Sequence, residues 1–361
     1  GDPLGTMVSG GELVSEPYTP RSVAAWSPSS GLRFDSPTFA SYIEPVGAPR
    51  IRIDGINRSV RAGEVILFTQ KGGMASSKLR CTAMLLEAKR SIPISGAFSL
   101  RLKTIVRDLT DIPVALDEAI LMVSPQRVAE VNAALYAGLT YDFRIHLAGE
   151  IDWNTVTDAI GGGPRLVKNG SVSVPRDYER FDASYNNRHP RSAIGYTKNN
   201  EVVVVAVDGR STNSKGLTLD ELARLMVKLG CTDAMNLDGG GSTTMVLGGT
   251  VLNKPSDGGL RGVANALLLF SPSEPPIQIG IRATSLSLKP GDVTTLRLID
   301  ATGAVVPNGQ AVWTSSGAAG WIGGDGAFRA TEPGKATVRA FARGSWTAAE
   351  FSVSIPGTTS R

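Results

Sequence analysis

The chain has 361 residues, 42% hydrophobic and 19% charged, an ordinary globular composition with length for two domains or one large domain with an appendage. Its formal net charge of +4 includes no lysine or arginine run, which argues against a nucleic-acid partner and suits an anionic small substrate equally well. No stretch approaches the roughly 18 consecutive apolar residues of a membrane-spanning helix.

Cys81 and Cys231 are the only cysteines and read as buried free thiols, with a disulfide as the alternative. The sequence starts at Gly1 without an initiator Met or a signal peptide, so a processed or truncated form is expected. Residues 1–49 are rich in Gly, Pro and Ser, and VSGGELVSEP reads as a β-hairpin. Arg50 to Gln70 predicts a pair of strands with Asn57-Arg58-Ser59 at the turn between them. Short strands follow from Cys81 to Ser124, then a helix over Pro125–Ala137 with Val128, Val131 and Leu135 inward. His146 lies between apolar neighbours in YDFRIHLAG and reads as a structural histidine.

GGGPRLVKNG, from Gly161 to Gly170, predicts a glycine turn, a strand and a type I′ turn at Asn169-Gly170. The turn either supports a pocket from behind or lines it, beside Asp152 and Trp153. A charged, aromatic loop, Arg176 to Pro190, then leads into HPRSAIG.

Glu201 to Leu247 reads as strand, polar loop, capped helix, strand, glycine turn and strand. Val202–Val207 is a short aliphatic run of the kind buried on both faces of a sheet, and it delivers Asp208, Gly209 and Arg210. Thr218 and Glu221 have capping-box spacing, Leu219, Leu222, Met226 and Leu229 share a helical face, and Gly230 closes the helix. A second strand, Ala234–Leu237, delivers Asp238, and Gly239, Gly240 and Gly241 precede Ser242 and Thr243. Such a run is either a tight hairpin or a turn that lets backbone N–H groups approach an anion. Two strands joined by one helix favour neighbouring parallel strands with both C-terminal ends on one side, where ligands of open α/β sheets bind.

NLDGGGSTTM, preceded by VDGR and the GLTLDELA helix and followed by KPSDGGLRGVANALLLF, closely resembles the phosphodiester glycosidase family. GGGPRLVKNG, HPRSAIG and IDGINRSVR extend the resemblance over roughly residues 11–270. The family includes an enzyme that removes N-acetylglucosamine from a sugar phosphodiester. The resemblance implies an extracellular hydrolase, secreted or on the cell surface, cleaving a sugar-1-phosphate diester. It brings Arg191 and Arg261 to the pocket, admits His189 as a catalytic group, and matches Asn57 and Arg58 to a motif. Members also carry an Ala-Ile-Asn-Gly-Gly-Phe-Phe strand and turn upstream, which nothing in this sequence matches, so a missing N-terminal segment is expected.

The fold expected is an α+β, mixed-sheet domain over residues 1–272, with GVANALLLF as a final buried strand and SPSEPP as a linker. Residues 277–357 alternate in short strands with regular turns, the pattern of a small all-β sandwich. It resembles bacterial immunoglobulin-like domains, with Trp313 in its core, and implies a spacer or surface anchor.

Chemically, the substrate needs a phosphate clamp and a carboxylate near the anomeric carbon. Arg191, Arg210 and Arg261 offer guanidinium forks, with the Gly239–Gly241 amides and the Ser242 and Thr243 hydroxyls as further donors. Asp208 and Asp238 are the catalytic carboxylates, and Asn236 and Asn265 hold sugar hydroxyls or tie loops together. The arginines supply positive charge, so neither a metal nor another cofactor is expected. Two other classes compete. A non-catalytic cell-wall or exopolysaccharide glycan-binding protein would release no sugar. A nucleotide phosphohydrolase lacks support, because GGGST has no P-loop Lys and precedes a strand.

Overall fold

The computed structural model describes residues 4–212, 214–270 and 276–354. It forms two compact units, one of residues 1–245 with 253–267 and one of 246–252 with 268–361. Strands hold 47% and helix 10%, so the architecture is mostly β with the expected mixed sheets, and the α+β class describes it only loosely. Of the predicted linker SPSEPP, residues 271–275 lie outside the described residues.

The larger unit contains three main sheets. An eight-stranded sheet runs, in spatial order, Ile51–Arg52, Thr38–Glu44, Thr140–Ala148, Gly96–Pro113, Met74–Glu87, Glu118–Val123, Val65–Phe68 and Gly55–Ile56. Glu118–Val123 is buried at all but its first position because both faces are covered: Leu121 and Val123 pack into one core cluster, Ile120 and Met122 into another. Thr140–Ala148 alternates instead, with Tyr141, Phe143, Ile145 and Leu147 inward. His146 therefore faces water on the exposed side of the strand, where the sequence reading made it a structural histidine between apolar neighbours. Gly55–Ile56 pairs with Val65–Phe68 in parallel, so Asn57 starts a crossing connection and not a hairpin turn. The helix Val128–Ala134 buries Val131, with Leu135 just beyond, as predicted.

A five-stranded sheet carries the chemistry. Its strands are β1 (Arg165–Lys168), β2 (Ser171–Val172), β3 (Arg191–Thr197), β4 (Val202–Val207) and β5 (Cys231–Leu237), in the order β2-β1-β5-β3-β4. Asn169 and Gly170 both take positive φ, 52° and 74°, at the tight turn between β1 and β2. All neighbours are antiparallel. β4 and β5 run parallel to each other but are separated by β3, which corrects the expectation that they adjoin. Their C-terminal ends still share one side. Reversed, β3 sets its start there too, with Arg191 opposite Val207 and Ser192 opposite Leu237. β1 is also reversed against β5, with Arg165 opposite Met235, so the Gly161–Pro164 turn lies at the same end. β4 is an edge strand, partly exposed throughout, and not buried on both faces.

The helix Leu219–Lys228 starts with both halves of the capping box, Thr218 Oγ1 accepting from the Glu221 N–H and Glu221 reaching back to the Thr218 N–H. Leu219, Leu222, Ala223 and Met226 pack on Leu166, Val167 and Ala234, while Leu229 falls outside that face. On the other face of the sheet, Ile194 and Met235 meet Ala24, Leu32 and Phe34 of a second five-stranded sheet built from Met7–Ser9, Glu12–Ser15, Val23–Ser27, Gly31–Asp35 and Asp158–Gly161. Cys81 and Cys231 are buried free thiols. GVANALLLF forms no strand, contrary to expectation: Leu267 joins the cluster of Ile194 and Met235, whereas Leu268, Leu269 and Phe270 are exposed.

The smaller unit is all β, with three- and four-stranded sheets between Ile279 and Val353. Its core gathers Leu296, Leu298, Trp313, Val338 and the stacked rings of Phe328 and Phe351, 4.8 Å apart, so Trp313 lies in the core as expected. The hairpin Val246–Leu247 and Thr250–Val251 belongs to this unit, with the Trp346 indole against Gly248.

Candidate active site

Four segments meet where β3 begins and β4 and β5 end: 189–191, 208–210, 238–243 and 257–261. The glycine turn is the centre, and its three glycines do different jobs. Only Gly240 has positive φ, 60°, and its N–H donates to the Pro190 carbonyl at 2.9 Å. A Cβ on Gly239 would lie 2.7 Å from that same carbonyl oxygen, and one on Gly241 would fall on the Asp257 carboxylate. The run GGG thus permits backbone on one side and a carboxylate on the other.

Arg210 leaves β4 with φ of 56°, a left-handed conformation that an arginine adopts at a cost of order 1 kcal/mol. Its guanidinium lies over Gly240, with Nη1 and Nη2 at 3.4 and 3.2 Å from where a Cβ would be, and Nη2 donates to His189 Nδ1 at 3.2 Å. Since guanidinium has no acceptor, the neutral imidazole holds its proton on Nε2. Opposite, Arg261 binds Asp257 Oδ2 through Nε (2.9 Å) and Nη2 (2.5 Å), while Nη1 donates to Ser242 Oγ at 3.4 Å.

Arg191 is buried and does not present a free fork. Its Nε donates to Leu217 O at 2.9 Å, and its Nη2 to Tyr185 O and Asn187 O at 2.8 and 2.9 Å. It therefore braces the loop before β3, which corrects its reading as a direct clamp. Burial lowers its pKa and the Arg210 charge adds to this, against an opposing contribution from Tyr185. Among the described residues no carboxylate pairs with Arg191 or Arg210. Two neighbouring cations without a counter-ion favour an anion.

The carboxylates divide by environment. Asp208 Oδ1 accepts from Lys254 N at 2.8 Å and Asn253 Nδ2 at 3.2 Å, so it ties two loops. Asp238 is exposed and, among the described residues, its carboxylate accepts from Gly239 N alone, at 2.9 Å. Thr243 is buried, its Oγ1 accepting from Ser192 Oγ at 3.3 Å and its carbonyl from Asn253 at 2.9 Å. Asn236 fixes the other glycine turn, donating from Nδ2 to Gly163 O at 2.8 Å, and its buried Oδ1 has no partner among the described residues.

Three predicted residues are not brought to this cluster. Asn57 is buried and bonded to Val14 O and Thr69. Arg58 is held by Glu16, Glu64 and Asp54 O. Asn265 Nδ2 faces Met7 Sδ at 3.7 Å. Sequence reasoning missed Asp257, Asn253 and Glu179. Asp257 had a signal, an Asp four residues before Arg261 in SDGGLRG. Glu179 had none within RDYERFD, yet it is buried behind Gly163 and accepts from Ser22 N, Ser22 Oγ and Arg165 N, each at 2.8 Å.

All four segments fall inside one recognisable stretch. Residues 119–270 match the phosphodiester glycosidase family model. A protein of Bacillus subtilis strain 168, the SPbeta prophage-derived YomE, is 39% identical over 92 residues, 26% of this chain and 14% of its own length. The human N-acetylglucosamine-1-phosphodiester alpha-N-acetylglucosaminidase is 32% identical over 114 residues, 29% of this chain and 22% of its own. The chain thus spans only 14% to 22% of these curated relatives. A Burkholderia pseudomallei crystal structure shares the fold over 73% of this chain and 60% of its own, with a TM-score of 0.59 and 21% identity. The phosphodiester glycosidase stretch thus contains β1 to β5, the capped helix and both glycine turns.

Proposed function

We propose that this chain is a hydrolase that cleaves a glycosyl phosphodiester to a free sugar and a phosphomonoester. The observation that carries this reading is the Arg210 guanidinium, which lies over Gly240 and has no carboxylate partner among the described residues. A phosphodiester supplies the single negative charge this arrangement lacks.

Arg210 and the His189 Nε2–H hold the phosphate oxygens, with Arg261 and Ser242 closing the opposite side. Asp238, unconstrained by other segments, takes the anomeric side. It stabilises the developing oxocarbenium charge and accepts the proton of the attacking water. The new bond joins water oxygen to the anomeric carbon; the bond from that carbon to the phosphate oxygen breaks, and its electron pair leaves with the phosphomonoester. That leaving group is good enough to need little protonation, so one free carboxylate suffices. Asp208 keeps the loops in register and touches no reacting atom. Activity persists in a chelator, because guanidinium groups supply the positive charge.

N-acetylglucosamine is the first sugar to test, given the name of the human relative. Residues 277–357 are read as an immunoglobulin-like spacer that holds the enzyme outside the cell, and cell fractionation tests that placement. The direct assay is release of free N-acetylglucosamine from its methyl 1-phosphodiester. Binding of that compound without release, at any pH from 4 to 9, would favour a glycan-binding role.

A further inference from the structure

We propose that the open edge of the eight-stranded sheet is a second ligand site that takes a phosphorylated saccharide. The edge is open because Ile51–Arg52 is only two residues long and pairs with Ile43 and Tyr42 alone. Ile53 adds one bond to Ser41 O, and beyond it Phe39 and Ala40 have no strand on that side among the described residues. A cavity of about 440 Å³ occupies the gap, lined by Phe39, Ser41, Tyr42, Arg50 and Arg52. Small-molecule sites span roughly 300–1,000 Å³, so a monosaccharide phosphate is of fitting size.

The lining matches that chemistry at two points. Arg50 lies over the Tyr42 ring, 4.6 Å from its centroid, and the two make a flat amphipathic wall for the C–H face of a sugar ring. Arg50 and Arg52 carry guanidinium forks suited to phosphate. Their present partners, Glu44 at 2.8 Å and Asp54 at 3.1 Å, hold them by solvated pairs that are cheap to open, since the arginine side chains are 66% and 78% exposed. Arg144, opposite Tyr42 on the next strand, shares Glu44. Ser41 lies on the other, core-facing side of its strand, with Phe39 and Ile43, and is buried.

The residues that line this cavity, 39–53, lie outside the stretch that matches the family and include none of the glycine-turn cluster. The experiment is isothermal titration of the full chain with glucose 6-phosphate, in an Arg210→Ala background so that the candidate active site is weakened. It reads binding alone, so its outcome is independent of whether the chain is a hydrolase. Arg52→Ser and Tyr42→Ala are expected to weaken binding about tenfold or more, with thermal unfolding of Arg52→Ser unchanged. Glucose and inorganic phosphate are each expected to bind at least about tenfold more weakly than the sugar phosphate. Equal binding by Arg52→Ser and the parent, or inorganic phosphate binding as well as glucose 6-phosphate, would overturn the proposal.

Discussion

Arg210 holds a left-handed backbone and a side chain without a carboxylate partner, two unfavourable features at one residue. Replacing it with Gly removes both and separates stability from function: the variant is expected to unfold at least as high as the parent, while kcat/KM falls about a hundredfold. Arg210→Lys keeps the charge but loses the fork, so substrate binding weakens too. The two aspartates diverge in the same way. Asp238→Asn lowers turnover by about two orders of magnitude with stability unchanged within ~0.5 kcal/mol, whereas Asp208→Asn destabilises by about 1 kcal/mol through the Asn253 and Lys254 loops. Activity assays beside thermal melts distinguish them. Sequence could not rank them, because both are Asp-Gly at the end of an aliphatic strand. What separates them is Asn253, 45 residues beyond Asp208. Glu64 bears on pH. Burial pushes its carboxyl up, but the hydrogen bonds from Arg58 and the Arg61 amide outweigh that and lower its pKa. A depressed carboxyl stabilises the fold above its unfolded pKa, about 4.3, and the contribution disappears as pH falls through the lower folded value. Urea melts should therefore show Glu64→Gln less stable than the parent at pH 7, with the gap closing in acid below about pH 4.

Among the elements, the glycine turn and the capped helix were both legible, for different reasons. Capping chemistry is local, so Thr218 and Glu221 declare the helix start within four residues, and Thr218→Ala is expected to cost ~1 kcal/mol. Three glycines declare only that space is needed. Which neighbours need it, Pro190 at Gly239 and Asp257 at Gly241, is a tertiary fact. Gly241→Ala should displace the Asp257 carboxylate and with it Arg261, lowering kcat/KM about tenfold; a crystal structure of the variant with Arg261 unmoved would contradict this assignment. The aliphatic strand β4 misled because VVVVAV has no period, and an edge strand and a central one read alike without the sheet order. GVANALLLF misled by the same route, being strand-like in composition yet unpaired. His146 could have been placed correctly: YDFRIHLA alternates cleanly, and His146 shares its phase with Asp142 and Arg144.

At the scale of the molecule, antiparallel pairing does what parallel strands were expected to do. β3 runs back between β4 and β5, so one end of one sheet collects a strand start and two strand ends, and residues from position 189 to position 261 meet there. The chain also leaves the larger unit at Val246 and returns at Asn253, whose side chain then bonds Met245 N, Thr243 O and Asp208. The site is thereby closed by its own re-entry point. Arg58, matched by motif alone, belongs to a separate ion-pair network in the same unit, and Asn57 beside it bonds Val14 and Thr69, which a motif cannot reveal without topology. The most direct measurement is single-turnover release of N-acetylglucosamine from its methyl 1-phosphodiester by the parent chain, Asp238→Asn and Arg210→Ala, with folding checked by circular dichroism. The glycine-turn site predicts release by the parent and a loss of about a hundredfold in each folded variant. Release at the parent rate by both variants would contradict it.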